Sequence, residues 1–170
     1  MKLGFAVSVL VLAGCGVAQF TSRQEPRRAF GEFGSVEVRE IRNGLSGRLP
    51  GDVAAQAEAF SKTLAVRVKE KLVRAGRFTE AKAPVLVIEG ELVGYDPGSQ
   101  ALRYLIGFGA GSGEIRVEVA FRDPEGALVA DGTARGTVSG GFFGGTVGEA
   151  ENRVAEAIVR HIESHWERRP

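Results

Sequence analysis

Few residues in this chain have the type and spacing that chemistry needs. The two histidines, His161 and His165, stand four apart. On a helix that spacing puts both imidazoles on one face, where a pair could chelate a metal ion. The intervening Ile162-Glu163-Ser164 is not the order of a His-Glu-x-x-His zinc helix. Both histidines also fall beside an apolar stripe, so they read as partly buried edge residues near a helix end, and no metal is expected. Glu89 and Glu91 share a strand face with Val87 and Val93 and could act as paired carboxylates. The simpler reading of that face is solvation. Asp96, Asp123 and Asp131 have turn or strand-surface explanations. There is no Gly-x-Ser-x-Gly elbow, and neither histidine is placed to serve a serine. An enzyme would have to work with carboxylates alone, so no catalytic residue is assigned and a non-enzyme is expected.

Two glycine-rich segments could in principle cradle a phosphate. The first runs from Arg103 to Gly113 and contains Gly107-Phe108-Gly109-Ala110-Gly111-Ser112. A dinucleotide loop follows a strand and opens a helix, whereas this segment leads into a strand and has Ser112 where the third glycine belongs. The second, Gly140-Gly141-Phe142-Phe143-Gly144-Gly145, precedes a helix whose free N–H groups could hold an anion. Thr146 and Glu149, however, have the spacing of a capping box, and Glu149 adds a repelling charge. No nucleotide or other cofactor is therefore expected. Three readings of these glycines stay open: close backbone packing, a small-ligand cleft, or an exposed adaptable surface. In the last reading Phe108, Phe142 and Phe143 would contact a partner or membrane.

The single cysteine, Cys15, ends the string Leu12-Ala13-Gly14-Cys15. Ahead of it lie Lys2 and a mostly apolar run from Leu3 to Leu12, the layout of a secretory leader. That run is shorter than the about 20 apolar residues a membrane span needs. The string resembles the lipobox of bacterial lipoproteins. The resemblance implies a diacylglycerol on the Cys15 thiol, cleavage before it, and often acylation of the new amine. Two or three acyl chains hold a membrane firmly where one does not. Gly16 stands where an Asp would mark inner-membrane retention, so the same resemblance points to the outer membrane. Ordinary cleavage after Ala18 would instead discard the cysteine. The lone thiol favours the lipid, since an exported domain with one free cysteine is unusual. Residues 1–14 are read as leader, 15–32 as lipidated cysteine and polar tether, and 33–170 as one domain.

The formal net charge is +1, and loss of Lys2 leaves 21 basic against 21 acidic residues. Without a basic face, nucleic acid is not an expected partner. The expected partners are the membrane, through the lipid on Cys15, and an envelope protein.

The elements follow from periodicity. Ser35 to Arg42 alternates loosely and reads as a strand. Asp52 could cap a helix from Val53 to Ala75, in which Val53, Ala57, Phe60, Leu64, Val68 and Leu72 make one apolar stripe. Gly76 would end it in the left-handed region. Val85 to Tyr95 begins nearly all apolar and reads as a central strand. Ile115, Val117, Val119 and Phe121 alternate with charged residues in a third strand from Glu114 to Arg122. Asp123-Pro124-Glu125-Gly126 turns the chain into a fourth strand, Ala127 to Val138. A helix from Thr146 to about Trp166 buries Val154, Ile158 and Ile162. The order β-α-β-β-β-α predicts an α+β two-layer sandwich: a mixed four-stranded sheet with two helices on one face, its first two strands parallel.

Between Val85 and Ile162 this order is similar to a bacterial lipoprotein family, that of domain of unknown function 4410. The likeness rests on the Gly-Phe-Gly-Ala-Gly-Ser segment, the alternating strand, the Asp-x-x-Gly hairpin and the Ala- and Ile-rich last helix. It implies an envelope protein and no particular reaction. The expected role is a lipid-anchored, non-catalytic interaction or assembly module. The alternative is a small periplasmic ligand binder or weak carboxylate hydrolase with its cleft at the glycine-rich loops.

Overall fold

The computed structural model describes residues 16–76, 78, 83–98, 113–138 and 146–167. Their elements run β1 (Ala18–Gln24), a 3-10 turn (Phe30–Glu32), β2 (Ser35–Val38), β3 (Arg42–Asn43) and α1 (Gly51–Arg74). They continue with β4 (Val85–Asp96), β5 (Gly113–Arg122), β6 (Leu128–Val138) and α2 (Val147–Ser164). The class is α+β as expected, but the mixed sheet has six strands rather than four, in the order β1-β6-β5-β4-β2, with β3 also on β4.

The two extra strands have separate origins. Residues 18–24, read from the sequence as tether, form β1 and pair antiparallel with β6 from Ala18↔Gly136 to Gln24↔Asp131. The strand expected over Ser35 to Arg42 divides: β2 ends at Val38, and β3 pairs separately as Arg42↔Glu91 and Asn43↔Leu92. Both are parallel to β4.

One face of the sheet carries the core. Ile115, Val117, Val119 and Phe121 are at most 2% exposed, while Arg116 and Glu118 between them face solvent. The α1 stripe of Ala57, Phe60, Leu64, Val68 and Leu72 is fully buried, as are Val154, Ile158 and Ile162 of α2. All join one cluster with Leu86, Ile88 and Leu92 of β4. Each large side chain so buried contributes about 1.5–3 kcal/mol. The helices touch each other; α1 also packs on β2, β3 and β4, and α2 on β1, β5 and β6.

The ends differ from expectation in detail. Pro50, not Asp52, precedes α1, and Asp52 lies inside its first turn. Thr146 precedes α2, but its side chain makes no capping bond, so the expected capping box does not form. Gly76 does adopt a left-handed conformation (φ 64°), and so does Gly126 in the hairpin (φ 86°).

Candidate functional site

The residues named from sequence for chemistry and contact fall in different places. Cys15, Phe108, Phe142 and Phe143 lie outside the described residues. Their described flanks are well fixed. Val17 accepts a hydrogen bond from the Thr137 N–H (2.9 Å), and its own N–H reaches Thr137 Oγ1 (2.9 Å). Gly113 pairs with Val138, so both glycine-rich segments are rooted at one end of the β5–β6 ladder, opposite the Asp123–Gly126 turn.

The two histidines are not equivalent. His161 belongs to the core at 6% exposure, which corrects its reading as an edge residue. Its ring stacks on Phe20 of β1 and lies 5.7 Å from Phe30 and 5.6 Å from Phe121. Burial pushes its pKa down to about 4; nearby His165 lowers it further and Glu25 opposes. The Nε2 atom is buried without a hydrogen-bond partner. His165 Nε2 sits 3.1 Å from Glu25, and its Nδ1 lies 2.9 Å from the His161 carbonyl oxygen. The α-helical spacing thus brings the rings to 4.5 Å. However, His161 Nε2 is buried, and both nitrogens of His165 are already engaged. Among the described residues no group of three or more His, Cys, Asp or Glu side chains could hold a metal ion.

Glu89 and Glu91 lie on the sheet face that no helix covers, as their spacing suggested. They are held by arginines the sequence reading did not single out. Arg39 and Arg122 both contact Glu89, the latter at 3.1 Å, and Arg42 sits 3.1 Å from Glu91. Arg23, from β1, bridges Glu118 at 3.1 Å and Asp131 at 3.4 Å. These groups line an open trough of about 550 Å³. Each such half-exposed pair contributes little stability, about 0–1 kcal/mol. Their effect is to present interleaved positive and negative charge on a rigid ladder. A second cavity of about 560 Å³ lies between β1 and the end of α2, lined by Phe20, Ser22, Glu25, His161 and His165. On the core side, Tyr95 donates to Glu151 (3.2 Å), and burial raises its phenol well above the ordinary value. No helix among the described residues is long and apolar enough to cross a membrane.

The family model described as Domain of unknown function (DUF4410) matches residues 35–164. No curated protein matches the chain. Among solved structures it is similar to a point variant of the PelC dodecamer from Paraburkholderia phytofirmans. That match has 18% identity and a TM-score of 0.49, covering 86% of this chain and 97% of the other. A PelC dodecamer in another crystal form gives 16% and 0.47, with the same coverage. A candidate lipoprotein from Caulobacter crescentus CB15 gives 12% and 0.39, covering 79% of this chain and 88% of the other. Because the family model spans the chain from the start of β2 to the end of α2, the protein belongs to the DUF4410 family.

Proposed function

We propose that the protein is a lipid-anchored component of the bacterial envelope that works as a non-catalytic interaction module. The anchor is Cys15, facing the periplasm from the outer membrane. The lipid reading is supported by Leu12-Ala13-Gly14-Cys15 behind a short apolar run, with Gly16 next. The module reading is carried by one observation, the uncovered face of the sheet. Its carboxylates Glu89, Glu91, Glu118 and Asp131 are each held by an arginine. A second protein of alternating charge could exchange those pairs for its own at small cost, which gives register and specificity. Phe108, Phe142 and Phe143 form a further proposed contact patch at the end where both glycine-rich segments are rooted.

Acyl labelling and fractionation test the anchor. The wild-type protein should carry lipid on Cys15 and sediment with membranes, and Cys15→Ala should lose both. A mature, unacylated protein beginning at Gln19 would refute it. Cross-linking in intact envelopes tests the module. Arg39→Glu with Arg122→Glu should remove a specific cross-linked product, and an unchanged pattern would count against this face. Changing Phe108, Phe142 and Phe143 to Ser should lower association without altering folding; a large fall in Tm would show that the rings belong to the core.

A further inference from the structure

The lipid reading of Cys15 takes on a geometric consequence once β1 is seen to begin at Ala18. The chain is fixed from Val17 onward by its two hydrogen bonds with Thr137. Cys15 lies only two residues earlier, so it can stand no more than about 7 Å from that end of the sheet. The slack expected of a tether over residues 15–32 does not exist.

Several other features share this end. β4 finishes there at Asp96, which pairs with Glu114 at the start of β5, and β6 finishes at Val138 beside Gly113. β3 runs parallel to β4, so it points the same way, and α1 starts back from that end at Gly51. α2 starts there too, because its first turns pack beside the end of β6: Arg153 donates to the Thr137 carbonyl oxygen. Phe78, just beyond α1, meets Trp166, just beyond α2, at 5.0 Å, which puts both helix C-termini together at the other end. The two long helices are therefore parallel, and both positive dipole ends point where the lipid must be.

We propose that this end of the domain, with the starts of α1 and α2, rests on the phospholipid headgroups of the membrane that holds the acyl chains of Cys15. The proposal rests on the acylation argued above and goes beyond it by fixing the orientation of the domain. The contact is set by the short link to Cys15 and not by an anion site, because both helix starts carry an exposed acid, Asp52 in α1 and Glu149 in α2. Among the acids at this end, Glu149 lies 3.8 Å from Arg153 and Glu114 contacts Arg116 (3.2 Å) and Arg135, while Asp52 and Asp96 are exposed. Val17, half exposed beside the anchor, adds an apolar contact. The open sheet face then stands along the membrane normal, free for a partner approaching from the side.

The test uses the acylated full chain in vesicles of phosphatidylethanolamine and phosphatidylglycerol with a spin-labelled headgroup. Cys15 is the only native cysteine, and its thiol is occupied by the lipid. A fluorophore is attached through Thr146→Cys, at the proposed contact, or through Glu125→Cys in the hairpin turn; both positions are exposed. β5 holds them about 30 Å apart along the sheet. Quenching several-fold stronger at residue 146 than at residue 125 is expected. Equal quenching, or stronger quenching at residue 125, overturns the orientation. Mass analysis of the N-terminal peptide separates this from failure of the lipid reading. Unacylated Cys15 would sink the anchor itself, whereas acylated Cys15 without the difference would sink only the orientation.

Discussion

The imidazole of His161 lies flat on the ring of Phe20, with centroids 4.0 Å apart and planes 13° from parallel. This contact joins α2 to the strand nearest the proposed anchor. It also sets a pH dependence. An ordinary histidine binds its proton near pH 6.5, but in the folded protein His161 binds it only near pH 4. Between those values the unfolded chain holds a proton that the folded chain does not. Stability is thus complete above about pH 6.5 and falls as pH drops toward 4. The loss corresponds to about 3 kcal/mol. Urea unfolding at pH 7 and pH 4.5 should show it, and His161→Phe, which keeps an aromatic ring against Phe20, should flatten that part of the profile. An unchanged pH slope in the variant would assign the effect to other groups.

Phe20 also decides whether β1 is part of the domain. It packs against the core cluster, and its ring lies where a side chain on Gly132 would stand. Phe20→Ala should cost about 2 kcal/mol or more. It should also speed amide exchange along β1 and the facing edge of β6. If residues 18–24 were a tether, neither quantity would change.

The contrast between β1 and α1 shows which features are legible in a sequence. The α1 stripe repeats through Ala57, Phe60, Leu64, Val68 and Leu72, and β5 alternates four apolar residues with charged ones, so period alone places them. β1 alternates too, but Phe20 is its only large apolar residue. Ser22 and Gln24 share its inward side, because an edge strand over the border of α2 needs less apolar surface than a central one. The start of α1 lies ahead of the position Asp52 suggests, with Pro50 as its cap, whereas Thr146 does stand at the N-cap of α2 in extended backbone but makes no side-chain capping bond; residue type alone does not settle a cap. Glu89 and Glu91 could be set on a solvated face from alternation. Their arginines could not, since Arg23 and Arg42 arrive from strands, and Arg39 from the link between β2 and β3, whose register no local pattern reveals.

The histidine pair supports a further expectation. His161 Nε2 is buried without a hydrogen-bond partner, and His165 is already engaged by Glu25 and the His161 carbonyl oxygen. Purified protein should carry no stoichiometric zinc, copper or nickel, and the double change His161→Ala, His165→Ala should leave the metal content unchanged. About one metal per chain by elemental analysis, lost in that variant, would overturn this reading.

Val119 offers the sharpest test of the sheet's two faces. It stands in a row with Gly90 on β4 and Gly132 on β6. Neither glycine has a side chain, and the space is taken by others. A Cβ on Gly90 would meet Ile41 Cδ1 at 3.0 Å, and one on Gly132 would meet Phe20 Cε1 at 2.5 Å. Val119 is therefore flanked by Ile41 and Phe20 and is 2% exposed. Val119→Asp would bury a carboxylate with no cation beside it, at several kcal/mol, against a total domain stability of about 5–15 kcal/mol. The variant should be unfolded or nearly so at 25 °C by circular dichroism. The next residue supplies the control. Ala120 points to the open face, in register between Glu89 and Asp131. Ala120→Lys places a cation between two carboxylates and should change stability by no more than about 0.5 kcal/mol. Near-native stability of Val119→Asp together with collapse of Ala120→Lys would mean that the faces are reversed, and the charged trough would then be the core side.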